Sequence, residues 1–254
     1  MPAFNGTLLK AVNDSALTSV LSVSAVGQHI VLTGSTYSTS RTIGFGKVLV
    51  GDLANLPTVG GIWTFAGPDA IVYGIHKKSG RLNIDGPGHR CQIIRCYISD
   101  ITGTYPIWVG GGDDIVIARN EMFSWGVDSP CGGQKGISVR APRPGLADGA
   151  RRIRISYNYF HDQLGYNEES CTNDAEVISL GLTQSEGRAR SEMQAWVHHN
   201  LIVNCLGDTE GLMVKASYNR IEFNHLNNVR GFNNRFGGFN QYIGNRVQNA
   251  SEKK

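Results

Sequence analysis

Apolar and polar positions along much of the chain repeat in one frame centred on asparagine. The segments IVIARNEMF, IRISYNYF, WVHHNLI, IEFNHL and YIGNRV each have an apolar residue three positions before the asparagine and another two positions after it. An earlier segment, IIRCYI, fits the same frame with Cys96 in place of the asparagine. The two shortest spacings between these asparagines are typical of one coil of a parallel β-helix, and the wider spacings predict loop insertions. The five asparagines are Asn120, Asn158, Asn200, Asn224 and Asn245.

A second set of short segments, interleaved with these frames, has the composition of β-strands. YPIWVGG, KGISVR, AEVISLG, EGLMVKAS and GFNNRFGG are β-branched or aromatic and are bounded by Gly, Asp or Asn. A single coil cannot bury its own apolar side chains, so coils must stack into a continuous core. Asparagine suits an inward turn because its amide bonds to the backbone and tolerates left-handed geometry. We therefore predict an all-β, right-handed parallel β-helix with stacked asparagines. A β-sandwich with asparagine-rich turns is the alternative.

The N-terminal residues show a different pattern. TLLKAVNDSALTSVLSVSA has mixed helical spacing of apolar residues and predicts a helical cap over residues 1–26 that covers the open end of the stack. GQHIVLTGSTYS then has the pattern of a first strand and turn, and coils are expected over residues 27–254. Nothing in the sequence marks a linker, so a single domain is predicted. Two insertions, SWGVDSPCGGQKG to RPGLADGARR and LGYNEESCTND, are expected to form loops.

Composition restricts the classes of partner. The net charge is +3 and charged residues make up 18% of the chain, which suits an acidic polymer without requiring one. There is no Lys/Arg-rich run, so nucleic acid is not expected, and no apolar stretch long enough to predict a membrane span. The N-terminus lacks the charged and apolar regions of a signal peptide. Five scattered cysteines without a C-x-x-C pair predict no disulfide framework.

Two isolated cations mark the candidate site. Lys215 lies within the apolar run EGLMVKAS, and Arg235 lies one predicted coil later among Asn and Gly. Neighbouring rungs of a β-helix are about 4.8 Å apart, so the two cations would repel each other unless an anion lay beside them. Solvent exposure of both side chains is the alternative interpretation.

Acidic residues precede this pair. Asp208 and Glu210 are two positions apart, so a strand would place both on one face, where two carboxylates need a shared proton or a cation. Oxygen-rich clusters of this kind suit Ca²⁺. One coil earlier, the segment CTNDAEVISLG adds Asn173, Asp174 and Glu176. Taken singly, each of these residues is better explained by turn formation and surface solubility.

These segments resemble polysaccharide lyase family six, which includes chondroitinase B and alginate lyases. GQHIVLTGSTYS resembles the family's opening coil, NDAEVISLG a later coil, and VHHNLIVNCLGDTEGLMVKASYN with NNRFGGFNQYIGN its catalytic coils. The resemblance implies that Lys215 in KASYN is the catalytic base and that Arg235 in RFG is the acid. Phe236 stands where the family has histidine, and Ala216 replaces the serine after the base.

The resemblance also implies a metal site and a substrate site. Asp208 and Glu210 would hold Ca²⁺ together with a residue of the preceding coil, for which Asn173 and Glu176 are the candidates. Calcium is therefore the expected cofactor, and an acidic polysaccharide is the expected partner. The side chains expected to bind this polymer are Phe236, Tyr218, Arg220 and His225.

The implied reaction is β-elimination on a uronate-containing polysaccharide of the alginate or chondroitin/dermatan type. A cation at the sugar carboxylate would neutralise it, because removal of the neighbouring C5 proton adds negative charge to an anion. Lys215 would remove that proton, and Arg235 would act on the side of the leaving oxygen.

Two other functions fit the same pattern. A glycoside hydrolase needs two carboxylates flanking the glycosidic bond, for which Asp208 with Glu176, or Glu210 with Asp174, are conceivable pairs. A non-catalytic polysaccharide-binding protein, such as a viral tailspike, would bind sugars through exposed aromatic side chains. The protein is expected to be secreted or periplasmic, or part of a virion, and to be a monomer or a homo-oligomer that associates through its coil ends.

Overall fold

The chain folds into a right-handed parallel β-helix with a helix at its N-terminal end. The structure is a computed structural model and describes residues 8–103, 105–126, 134–142, 148–165, 175–181, 191–207 and 210–250. Its strands form three long sheets, and strands from successive coils pair in parallel. The predicted fold class is confirmed, and the β-sandwich alternative is wrong because a sandwich is built from antiparallel pairs. The predicted boundary at residue 26 between cap and coils stays a prediction.

The strand bounds show that every described coil from His29 to Asn234 contributes one strand to each long sheet in turn. The first sheet contains Leu9–Ala11, His29–Leu32, Val48–Gly51, Ile71–Tyr73, Gln92–Ile94, Val116–Ala118, Arg154–Ser156, Trp196–His198, Arg220–Glu222 and Gln241–Ile243. The second sheet contains Thr36–Tyr37, Thr58–Val59, His76–Lys77, Tyr97–Ser99, Glu121–Phe123, Tyr159–His161, Leu201–Cys205, His225–Val229 and Arg246–Gln248. The third sheet contains Arg41–Ile43, Trp63–Phe65, Leu82–Ile84, Ile107–Val109, Ile137–Val139, Ile178–Leu180, Leu212–Val214 and Phe232–Asn234. A small separate sheet pairs Gly111–Asp113 with Gly149–Arg151.

The asparagines of the repeating frame form one continuous hydrogen-bonded ladder. The backbone N–H and the side-chain amide of Asn120 both donate to Asn158 Oδ1, each at 3.0 Å. Asn158 donates to Asn200 in the same way, Asn200 to Asn224, and Asn224 to Asn245. The predicted stacking of all five asparagines at one inward turn is therefore confirmed. The ladder satisfies backbone groups that the sharp turn between the first and second sheets would otherwise leave unpaired.

A second, shorter ladder was not expected from the sequence. The backbone N–H of Asn219 donates to Asn240 Oδ1 at 2.9 Å, and Asn219 Oδ1 accepts the backbone N–H of Ala195 at 2.8 Å. These residues lie where the chain passes from the third sheet back to the first. The ladder fixes the turn that directly follows Lys215.

The N-terminal helix packs over one end of the stack. It spans Asp14–Val23, and the side chain of Asn13 caps it by accepting the backbone N–H of Ala16 at 2.8 Å. Leu17 is fully buried against the core. The Asp14 carboxylate accepts hydrogen bonds from Arg41 and from the backbone of Ser38, which joins the helix to the first coil.

One strand lies inside the region predicted as cap. Leu9–Ala11 precedes the helix and pairs in parallel with His29–Leu32, so the first sheet begins before the helix. A three-residue strand is too short to show an alternating pattern of its own. Its identity as a strand depends on the partner coil.

Candidate active site

Lys215 and Arg235 occupy equivalent positions on adjacent coils, directly after two paired strands of the third sheet. The side of this sheet that is formed by the C-terminal ends of its strands is called its edge below. Each follows the last residue of its strand, and Val214 pairs with Asn234 in the parallel register. The backbone N–H of Arg235 donates to Val214 O at 2.9 Å, and that of Lys215 donates to Leu180 O at 2.7 Å. The two side chains therefore start from backbone positions about one rung apart, which is roughly 4.8 Å.

The two cations have different environments. Lys215 is buried, with 8% of the residue exposed. Arg235 is exposed, and its guanidinium carbon lies 5.7 Å from the centroid of the Phe236 ring, within cation–π range. The amine is therefore held in place by the protein, whereas the guanidinium is open to solvent.

A buried glutamate joins Lys215 to a second lysine. Glu176 Oε1 lies 3.7 Å from Lys215 Nζ, and Glu176 Oε2 lies 3.2 Å from Lys135 Nζ. The side chains of Lys135 and Glu176 are each only 2% exposed. Buried charges are tolerated only when they are paired, so this carboxylate holds both lysines in place. The Lys135 ammonium also lies 5.6 Å from the centroid of the Tyr105 ring.

The glutamate belongs to a column of charged residues that precedes the strands of the third sheet. Ile137 pairs with Ile178, Ile178 with Leu212, and Leu212 with Phe232. The residue two positions before each of these strands is charged, and the four are Lys135, Glu176, Glu210 and Arg230. In this column two anions lie between two cations.

Lys135 was not predicted as a site residue, although the sequence contains a signal for it. The segments KGISVR, EVISLG and EGLMVK can be aligned so that Lys135, Glu176 and Glu210 share a position. The alignment predicts one column of charges, but it does not show that the lysine is buried. Burial depends on the neighbouring coils, which the alignment does not describe.

Glycine leaves room around Lys215. Gly181 lies one rung before it with φ +90°, and a Cβ added to Gly181 would stand 3.1 Å from the Lys215 Cβ. One rung further on, a Cβ added to Gly237 would stand 1.7 Å from Ala216 O. Side chains at these two positions would displace the backbone that positions Lys215. Ala216 itself is fully buried.

Only two of the four predicted metal ligands, Glu176 and Glu210, lie in the described part of the chain. Asp208 and Asn173 lie outside the described residues, as does Asp174 of the hydrolase alternative. Glu176 and Glu210 stand at equivalent positions on adjacent rungs, and Glu210 Oε1 accepts a hydrogen bond from Asn233 Nδ2 at 2.7 Å. Their carboxylate oxygens are of the type that calcium prefers. In the described part of the chain, no group of three or more His, Cys, Asp or Glu could hold a metal ion.

The four predicted substrate contacts are divided among the faces of the molecule. Phe236 and Tyr218 lie in the turns after Arg235 and Lys215, and the Tyr218 ring stacks on Phe239 at 4.9 Å between centroids. Arg220 lies on the first sheet, where it pairs with Glu222 at 2.7 Å. His225 lies on the second sheet, with Nε2 2.8 Å from Gln248 Oε1. The structure thus brings the first two, but not Arg220 and His225, to the turn that carries the two cations.

This architecture defines a class: a parallel β-helix with a polar, partly buried site along one sheet. Among solved structures it is similar to the PL6 family polysaccharide lyase Pedsa3628 from Pseudopedobacter saltans, with a TM-score of 0.79, 17% identity, and coverage of 95% of this chain and 58% of that chain. It is also similar to the PL6 family alginate lyase AlyGC, with a TM-score of 0.72, 17% identity, and coverage of 96% and 35%.

These similarities establish the fold. A variant of AlyGC with one arginine replaced by alanine matches equally well, with a TM-score of 0.71 and 17% identity. The chain spans 58% of the length of the first neighbour and 35% of the second. No family model and no curated protein matches the sequence. No helix among the described residues is long and apolar enough to cross a membrane.

Proposed function

We propose that the protein is a polysaccharide lyase that cleaves a uronate-containing acidic polysaccharide, of the alginate or chondroitin/dermatan type, by β-elimination. One observation carries the proposal. A buried lysine and an exposed arginine stand on adjacent rungs at one edge of a sheet, in a fold shared with polysaccharide lyases. The proposed location is outside the cytoplasm, where such polymers occur.

The chemistry assigns a separate task to each cation. Lys215, once deprotonated, takes the proton from C5 of the uronate. The C5–H electron pair then forms the C4=C5 double bond, and the bond from C4 to the glycosidic oxygen breaks. Arg235 stabilises the negative charge on the departing oxygen, and this oxygen takes up a proton from water to become the hydroxyl of the new chain end. A guanidinium is a poor base because it holds its proton at neutral pH, so the base role falls to the lysine.

Lys135 supplies the positive charge that offsets Glu176 in the site. Because Glu176 is shared between Lys135 and Lys215, Lys135 still neutralises the carboxylate once Lys215 has lost its proton. The base therefore does not act beside an unpaired carboxylate, which would repel an anionic sugar. Glu176 also fixes the position of the amine, and fixed geometry is a large part of the rate advantage of an enzyme.

Calcium belongs to the same proposal. Asp208 and Glu210, with Asn173 or Glu176, would hold the ion, and its charge would neutralise the uronate carboxylate. The donor types fit, because all four residues offer oxygen atoms. Glu176 already contacts two ammonium groups, so it would bind calcium only by releasing one of them.

The assay follows formation of the double bond, which absorbs in the ultraviolet. Acidic polysaccharides are incubated with wild-type protein and with the Lys215→Ala, Lys215→Arg and Arg235→Ala variants. The turnover of each variant is expected to be ~10²–10⁴-fold lower than that of the wild type, because this factor is the usual contribution of a positioned proton-transfer group. Lys215→Arg is included because guanidinium keeps its charge but does not serve as a base.

The control is Lys78→Ala, which removes an exposed lysine on another part of the surface and should leave turnover unchanged. Thermal melting of every variant separates loss of chemistry from loss of fold. Full activity of Lys215→Ala would refute the proposed base. New reducing ends without ultraviolet absorbance would indicate a hydrolase, and polymer binding without any product would indicate a non-catalytic binding protein.

A further inference from the structure

A cavity lined by arginine and tyrosine side chains lies on another corner of the molecule. It occupies about 330 Å³ at the turn between the first and second sheets, whereas Lys215 lies at the edge of the third sheet. Its walls come from successive coils, so it runs along the axis of the helix. The lining residues that matter here are Arg95, Arg119, Glu121, Tyr97, Tyr157 and Tyr159.

Two arginines stand on adjacent rungs in this cavity. Ile94 pairs with Ala118, and the backbone N–H of Arg95, the next residue, donates to Ala118 O at 3.2 Å. Arg95 Nη1 donates to the Tyr73 hydroxyl at 2.9 Å, and no ion pair is found for Arg95 or Arg119 among the described residues. The two guanidinium groups point in opposite directions along the helix axis: that of Arg95 lies 5.9 Å from the centroid of the Tyr73 ring on the preceding coil, and that of Arg119 lies 5.9 Å from the centroid of the Tyr157 ring on the following coil. Both residues are exposed, so each guanidinium can meet an anionic group in the cavity.

The backbone does not require large side chains here. Arg95, Arg119 and Tyr157 have φ of 51°, 59° and 57°, in the left-handed region that disfavours residues other than glycine. Gly74 and Gly244 fill the same turn position on other coils. His199 and Phe223 fill this position on two further coils, with φ of 54° and 53°, so the left-handed conformation belongs to the turn itself and the side chain is free to vary from coil to coil.

Three tyrosines line the cavity and remain accessible to solvent. Tyr97 is 43% exposed, Tyr157 is 53% exposed and Tyr159 is 37% exposed. An aromatic ring with a polar tip offers an apolar face to a sugar ring and a hydroxyl to its oxygens. The acidic residue of the cavity, Glu121, has Oε1 3.2 Å from His161 Nε2, so it is engaged with a neighbour.

We propose that this cavity is a second binding site for an anionic sugar chain, separate from the site of cleavage. The two arginines would bind uronate carboxylates, and the tyrosine hydroxyls would bond to sugar oxygens. The Tyr157 ring already stacks on His199 at 5.0 Å between centroids, and the Tyr159 ring stacks on His161 at 4.3 Å. Successive coils repeat every ~4.8 Å, which is close to the length of one pyranose unit, so neighbouring sugars can meet equivalent side chains. The choice of uronate as the sugar rests on the proposed function, whereas the site itself rests on its own residues.

Calorimetric titration of the whole chain tests the site. The probe is a uronate tetrasaccharide, added to the Lys215→Ala variant so that it is not cleaved. Two binding events are expected. Adding Arg95→Ala and Arg119→Ala should weaken one of them at least tenfold and leave the other unchanged, and the corresponding Gln replacements should do the same because they also remove the charge. On the wild-type background, the double variant should raise KM for long polymer several-fold and leave kcat unchanged.

Arg90→Ala is the matched control. Arg90 also has a left-handed backbone, with φ of 55°, but its guanidinium pairs with Asp69 at 2.6 Å and lies outside the cavity. Two unchanged binding events in the double variant would overturn the proposal, as would equal binding of an uncharged tetrasaccharide at this site. The two proposals fail separately: without any unsaturated product from wild type, arginine-dependent binding would still support the cavity as a sugar site.

Discussion

Lys77 is a fully buried lysine that plays no part in the proposed chemistry. Its Nζ donates to Gly61 O at 2.5 Å and also to Ser79 O, so the ammonium group closes a turn beside the second sheet. Burial lowers its pKa from the ordinary value of 10.5 to about 7, because the charged form loses its hydration. The residue is therefore a source of pH-dependent stability.

The sign of this dependence follows from proton binding. Between pH 7 and 10.5 the unfolded chain keeps a proton on Lys77 that the folded chain has released. The contribution of Lys77 to the free energy of unfolding therefore increases with pH across that window, and below pH 7 the folded state carries the full cost of a buried charge. Urea unfolding at several pH values between 7 and 9 should show this rise in the wild type, and Lys77→Met should remove it. Above pH 9 the buried thiols of Cys91, Cys96 and Cys205, whose pKa is raised by burial, oppose the rise because only the unfolded chain ionises them there.

Lys78 provides the comparison for this measurement. It is the next residue, but its side chain is 48% exposed and pairs with Asp100 at 3.4 Å. Lys78→Ala should keep the pH dependence of the wild type. A Lys77→Met variant whose free energy of unfolding changes with pH as in the wild type would contradict the assignment.

At the scale of structural elements, the asparagine ladder is the main device that fixes the turns. Asn200 shows its pattern: its Oδ1 accepts the backbone N–H and the amide of Asn158, and its own amide donates to Ile155 O and Asn224 Oδ1. The residue is 1% exposed, so water cannot replace these bonds. A buried polar group left unpaired costs more than a hydrogen bond contributes.

We expect Asn200→Ala to lower the free energy of unfolding by at least ~1–3 kcal/mol, the cost of leaving buried partners unpaired. Asn245→Ala is the matched control, because Asn245 is partly exposed at the last rung and water can reach its partners. Its effect should be clearly smaller in the same urea titration. Equal effects of the two substitutions would mean that the ladder bonds do not depend on burial.

In the whole molecule, the proposed site of cleavage and the proposed sugar-binding cavity lie on different parts of the surface. The edge of the third sheet carries Lys215 and Arg235, and the corner between the first and second sheets carries the arginine–tyrosine cavity. The last coil exposes positions that are core on earlier coils: Tyr242 is 39% exposed and Val247 is 42% exposed. Association through coil ends stays a prediction.

Metal binding is best measured on the whole molecule. If calcium binds the folded state at the proposed site, a concentration of 100 times Kd should stabilise the protein by ~2.7 kcal/mol, because the unfolded chain lacks the assembled site. The thermal midpoint should then rise with calcium and fall on chelation, together with turnover. Glu210→Ala should abolish the shift. If neither the thermal midpoint nor the turnover changes with calcium or with chelator, calcium has no part in the mechanism.

The repeated sequence frame was sufficient to predict the fold and the ladder. Asn224 with Ile221 and Leu226 shows why: the asparagine and its apolar neighbours recur with a spacing that only stacked coils satisfy. The adjacency of Lys215 and Arg235 also followed, because a single coil without a long insertion separates them. These features depend on local pattern and repeat length, which the sequence contains directly.

Which charged side chains meet depends on how the coils pack. Lys135 and Glu176 are separated by a long insertion, so no spacing rule places their side chains 3.2 Å apart, and no local pattern predicts that both are buried. The cavity of Arg95 and Arg119 has the same origin, since its character comes from side chains on several coils. The path of the chain could be predicted from the sequence because that path repeats. The contents of each site depend on burial and on partners contributed by different coils, and these exist only after the coils have stacked.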